Sequence, residues 1–145
     1  MNPVFFFLVL LGLGFAGTAF AADASLSLRY QEVLVLQQVS VTIPGPGGVT
    51  VIDKDGIVRS VNAQSVLGVL AALDEVNPSF TLSEIQYYES FDSLIVNCIT
   101  IAQLGSKKCN NWLYAVNGSA PSVGMDKYVL TGGESVFVYF GPSRQ

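Results

Sequence analysis

Asn111-Trp112-Leu113-Tyr114-Ala115-Val116-Asn117-Gly118 is the most informative stretch of this chain. Its large apolar residues Trp112, Tyr114 and Val116 are two apart, so they share one face of an extended strand. Asn117-Gly118 then supplies the dipeptide that most readily adopts the positive φ angles of a tight hairpin turn. Further on, Thr131-Gly132-Gly133-Glu134 turns the chain into Ser135-Val136-Phe137-Val138-Tyr139-Phe140, a second β-branched and aromatic run. Two strands joined through turns fix the C-terminal third as sheet.

Upstream, residues 32–43 are rich in Val and Leu and alternate at Val39, Val41 and Ile43, which predicts a strand. Pro44-Gly45-Pro46-Gly47-Gly48 ends it. Val49-Thr50-Val51-Ile52 and Ile57-Val58-Arg59-Ser60-Val61 flank Asp53-Lys54-Asp55-Gly56, which predicts a hairpin with Gly56 at a positive φ. Asp-x-Asp-Gly also opens calcium loops. Here Ile57 stands where an oxygen ligand is needed and no Glu closes the loop, so the turn reading prevails. Residues 62–76 predict the one helix, capped by Asn62 and striped by Val66, Leu67, Leu70, Ala71 and Leu73. Asn77-Pro78 stops it. Strands are expected again at 81–88 and 94–101, with a short extended piece at 127–130. Strand, strand, helix and three or more further strands make an α+β domain, a β-grasp-like mixed sheet with one packed helix.

The first 20 residues read differently. Residues 4–20 form an almost unbroken apolar run ending in Ala19-Phe20-Ala21, a small-x-small pattern. This predicts a secretory signal peptide over residues 1–21. The alternative is an uncleaved anchor, because the run approaches the roughly 20 residues that span a bilayer. Residues 22–32 read as a short N-terminal segment, 33–141 as the domain and 142–145 as a tail. With the signal removed, no membrane contact is expected and the protein is placed outside the cell or at its surface.

The chain has 7 basic and 11 acidic residues, no His, one Trp and two Cys in 145 residues. Its basic residues are scattered, which argues against nucleic acid as a partner. In an exported chain, Cys98 and Cys109 are expected to form a disulfide, stabilising by about 3 kcal/mol for so short a loop. With no His and no further Cys, no zinc site is expected, and no other metal or cofactor is indicated. Absence of His removes Ser-His-Asp and Cys-His catalysis. The carboxylate pairs Asp53/Asp55 and Asp74/Glu75 sit on a predicted turn and a helix end, where solvated charge is the default. Asn117-Gly118-Ser119 is a glycosylation sequon as well as a turn.

The aromatic strand ending in Val-Asn-Gly, then Tyr128-Val129-Leu130, then the Gly132-Gly133-Glu134 turn and final strand resemble the transcobalamin-like C-terminal domain family. The helix falls where that family has its single helix. The resemblance implies a β-grasp fold and a small-ligand contact near Trp112, Tyr114 and the loop carrying Ser122 and Met125. In the family's cobalamin carriers the module works beside a helical domain, which this chain lacks. Two readings follow. One is a non-catalytic extracellular module that binds a small soluble ligand. The other is a structural or protein-interaction module of the cell envelope or wall, in which an exposed strand edge pairs with an extracellular protein. A concave pocket beside Trp112 favours the first, a flat surface with an unpaired strand edge the second.

Overall fold

A computed structural model describes residues 21–142. Residues 1–20 of the predicted signal peptide and the end of the predicted tail lie outside the described residues. The elements are β1 (Asp23–Tyr30), β2 (Val33–Thr42), β3 (Gly48–Ile52), β4 (Val58–Asn62), α1 (Val66–Asp74), β5 (Phe80–Tyr88), β6 (Ser93–Ile101), β7 (Ser106–Cys109), β8 (Trp112–Val116) and β9 (Ser135–Phe140). Among the described residues they form a four-stranded sheet in the order β2-β1-β9-β8, the β3-β4 ribbon and a three-stranded sheet in the order β5-β6-β7. The α+β class with mixed sheet and one packed helix is as the sequence predicts.

One expectation is corrected. Residues 22–32, read as a short segment outside the domain, contain β1, an inner strand of the four-stranded sheet. Ala24, Leu26 and Leu28 alternate with Ser25, Ser27 and Arg29, and all three apolar side chains are buried. β1 runs antiparallel to β2 and parallel to β9, with Leu26 opposite Val136 and Leu28 opposite Val138. These four side chains join Val66, Leu67, Leu70 and Phe80 in one core cluster. Burying that much apolar surface is the main force available to a domain of this size.

The helix is shorter than the predicted span of residues 62–76, although it carries the whole apolar stripe from Val66 to Leu73. Ser65, not Asn62, is the N-cap: its Oγ accepts the Gly68 N–H at 3.0 Å. Asn62 instead closes a turn by accepting the Gln64 N–H. Gly68 lets the first helical turn lie directly on the chain at Asn62 and Ala63, where a Cβ would collide with both carbonyl oxygens. Two first-turn N–H groups reach outward, Val66 to the Tyr128 carbonyl at 3.0 Å and Leu67 to the Met125 carbonyl at 2.9 Å. Donors that a helix start leaves free thereby anchor the long β8–β9 connection.

The hairpin at Asp53–Gly56 is a turn built around one carboxylate. Asp53 is buried and accepts the N–H groups of Asp55 and Ile57 and the Arg59 guanidinium, each at 2.9 Å. Burial works against its ionisation, but these donors outweigh it and hold the carboxyl below the usual carboxylate range.

Candidate functional site: an apolar cleft in the fork between β6 and β8

The aromatic strand is two-sided, as its alternation requires. Trp112, Tyr114 and Val116 are buried, whereas Leu113 is 44% exposed. The Trp112 Nε1–H donates to the Lys108 carbonyl at 2.8 Å, and its ring meets Phe140 edge-on at 5.2 Å. The Tyr114 hydroxyl donates to the Val123 carbonyl at 2.6 Å. Burial pushes that hydroxyl up to about 12, so it stays a neutral donor. The polar atoms of both rings are thus engaged by the chain's own backbone, and what they offer a neighbour is apolar surface.

That surface borders a fork. From Ser106 the chain runs hydrogen-bonded to β6, with Cys109 opposite Cys98, and the Asn110 N–H still reaches the Asn97 carbonyl at 2.8 Å. Asn110 then takes a positive φ of 72°, a conformation Asn tolerates better than most residues. From there β8 leaves β6 and pairs with β9. At the root of the fork the Cys98–Cys109 disulfide, with Cα atoms 4.1 Å apart, ties the strands together. At the mouth, Asp126 on the β8–β9 connection accepts the Leu94 N–H at 3.0 Å and the Ser93 hydroxyl at 2.6 Å. Gly124 sits so close to this pair that a Cβ would collide with Ser93 Oγ and Asp126 Oδ1.

Between root and mouth lies a cleft of about 350 Å³. β6 contributes Leu94, Ile95 and Val96, and β8 contributes Trp112, Leu113 and Tyr114. Met125 and Val123 close one end from the β8–β9 connection. An adjoining cleft of about 450 Å³ continues from Ile95 and Leu113 towards Asn97, Asn110 and Asn111. Of the residues expected at the site, Trp112, Tyr114 and Met125 come together here. Ser122 does not line the cleft and is exposed on the same connection. Sequence reasoning missed the β6 wall. The β-branched run at 94–101 signals a strand, but nothing local says which of its edges stays open.

The remaining sequence candidates serve the fold. Asn117 (φ 50°) and Gly118 (φ 80°) form the turn after β8, and Asn117 Oδ1 accepts the Ser135 N–H at 2.9 Å. Asp55 pairs with Lys54 at 2.8 Å, and Asp74 accepts the Leu82 N–H at 3.0 Å. Buried Glu134 accepts both Thr131 donors and the Gly132 N–H, each at 2.7 Å. Burial raises its carboxyl, but these bonds prevail and lower it. Among the described residues no group of three His, Cys, Asp or Glu side chains is placed to hold a metal ion, and no helix is long and apolar enough to cross a membrane.

No protein-family model matches the chain, and no curated protein matches it. Among solved structures the chain is similar to haptocorrin, in the crystal structure of its complex with Cbi, at 16% identity and a TM-score of 0.49. The match covers 83% of this chain and 25% of that one, so this chain spans about a quarter of its length. The likeness is a distant one.

Proposed function

We propose that this protein is an exported binding module without chemistry of its own, and that its ligand lies in the cleft between β6 and β8. The cleft itself carries the reading. Its volume falls at the lower end of the roughly 300–1,000 Å³ common for ligand sites, and its walls are apolar and aromatic, as such sites are. The fork also keeps it open in the unliganded protein, because the disulfide and the Asp126 contacts fix both of its ends. Export is supported by the leader-like residues 4–20 and by the disulfide, which persists in oxidising compartments. The non-catalytic reading rests on the lack of His and on the use of the buried carboxylates Asp53 and Glu134 to close turns.

An environment-sensitive apolar dye, anilinonaphthalene sulfonate, tests the reading on the folded mature chain. Leu113 lines both clefts and is exposed. Leu113→Glu is expected to abolish the dye's fluorescence gain, while Val58→Glu, on the distant β4 surface, leaves it intact. Equal dye binding by wild type and Leu113→Glu would place the ligand elsewhere.

A further inference from the structure

The walls of the fork are strand edges as well as apolar surfaces. In β8, the Gly141 N–H bonds to the Asn111 carbonyl and the Asn117 N–H to the Ser135 carbonyl, both at 2.8 Å. In an antiparallel ladder alternate residues face the partner. Asn111, Leu113, Ala115 and Asn117 therefore turn their backbone groups to β9, and Trp112 and Tyr114 turn theirs to the opposite edge. Val116, the next in that set, exchanges both of its bonds with Ser119. Among the described residues the N–H and C=O of Trp112 and Tyr114 have no partner.

The facing edge of β6 is similar. The β5–β6 register is irregular around Glu84 and Cys98, and the pattern of burial shifts there, from Leu94 and Val96 to Ile99 and Ile101. Ile85, opposite Val96, turns its carbonyl away from β6 to accept the Lys54 N–H at 2.7 Å. The Leu94 N–H points away from β5, to Asp126. The backbone groups of Leu94 and Val96 therefore leave the β5–β6 ladder on the β8 side. β7 covers β6 only from Cys98 to Ile101. Val96 thus has no backbone partner among the described residues, although its side chain is buried.

A strand edge whose backbone donors and acceptors are met only by water is a ready template for pairing with another chain. Here such edges line an apolar cleft on two sides. A purely apolar molecule would fill the volume and leave them unmatched. We infer that the occupant is an extended peptide segment, added as a strand along the free edge of β8 with apolar side chains turned towards Met125 and Val123. Trp112 and Tyr114 would supply the backbone bonds, and Val96 would face the far edge of the added segment. This is recognition by strand addition, in which main-chain bonds carry affinity and alternate side chains carry selectivity. The inference rests on the cleft being the binding site and names the class of ligand it takes.

The test uses a soluble seven-residue peptide of alternating Thr and Val with Lys at each end, and the same peptide N-methylated at its five central amides. N-methylation keeps the side chains and removes the donors a strand needs. With the dye in place as reporter, the unmodified peptide is expected to displace it and to slow hydrogen exchange at the Trp112 and Tyr114 amides. The methylated peptide is expected to bind about tenfold or more weakly, the effect of losing one or more net hydrogen bonds. Equal displacement by both peptides, or no displacement by the unmodified one while the dye still needs Leu113, would overturn strand addition and leave the cleft reading standing. A dye signal independent of Leu113 would remove the cleft reading, and this inference with it.

Discussion

Two places in this molecule bring strands side by side that do not follow one another in the chain, and they end differently. At the first, β1 and β9 pair in parallel across more than a hundred residues of chain, and Leu26, Leu28, Val136 and Val138 vanish from solvent. At the second, β6 and β8 approach, are tied at one end by a disulfide, and never form a ladder. The seam is closed because each strand meets a complementary edge and an apolar face together. The fork is open because Asn110 redirects the chain and β9 takes one edge of β8, leaving the other without a partner. Stability belongs to the seam. On the proposed reading, the fork with its open edges is where the ligand is held.

Striking the seam is expected to have the largest effect. Leu28→Ala removes a fully buried side chain at the centre of the four-stranded sheet. It is expected to destabilise by about 2–5 kcal/mol in chemical denaturation, as large-to-small core changes do. A loss below 1 kcal/mol would mean that β1 is not part of the cooperative core. Removing the root of the fork comes next. Cys98→Ala combined with Cys109→Ala opens a link of sequence separation 11, for which chain entropy predicts a loss of about 3 kcal/mol. The double variant should also weaken dye binding, because the cleft loses one of its fixed ends. Unchanged dye affinity in a folded double variant would show that the disulfide serves stability alone. The smallest effect on stability is expected at the mouth: Leu113→Glu, half in solvent, should stay within about 0.5 kcal/mol of wild type while losing the dye.

The same contrast governs what could be read from the sequence. The β3–β4 hairpin, the C-terminal strands and the helix were legible because each is a local pattern, an alternation or a 3.6-residue stripe bounded by Gly, Pro or Asn. β1 carries an equally clean alternation at Ala24, Leu26 and Leu28. Its position directly after the long apolar run and Ala21-Ala22 disguised it as the start of a loose segment, and its partner β9 lies at the far end of the chain. The helix start was misplaced because Asn62 and Ser65 are both good capping residues. Only the fold decides between them, by laying Gly68 on the Asn62 and Ala63 carbonyls.

The site was half legible. Trp112, Tyr114 and Met125 were expected together and line one cleft. The aromatic pair is held mainly by Phe140, Lys108 and Val123, partners that no spacing announces. The β6 wall was invisible, because which strand edge remains free depends on every pairing made elsewhere. Asn110 was the one local hint, a residue that accepts a positive φ next to a cysteine expected to be bridged. The surface beside Trp112 is a concave cleft and not the flat face of the second alternative, yet the β8 wall of that cleft is also a strand edge without a partner strand among the described residues.

The open edge of β8 is therefore the claim on which strand addition in the cleft depends, and amide hydrogen exchange along that strand reads it directly. In the unliganded protein the amides of Leu113 and Ala115, bonded to β9, are expected to exchange slowly, and those of Trp112 and Tyr114 rapidly. Protection of Trp112 and Tyr114 equal to that of their neighbours would mean that the edge is already paired, and would contradict the account.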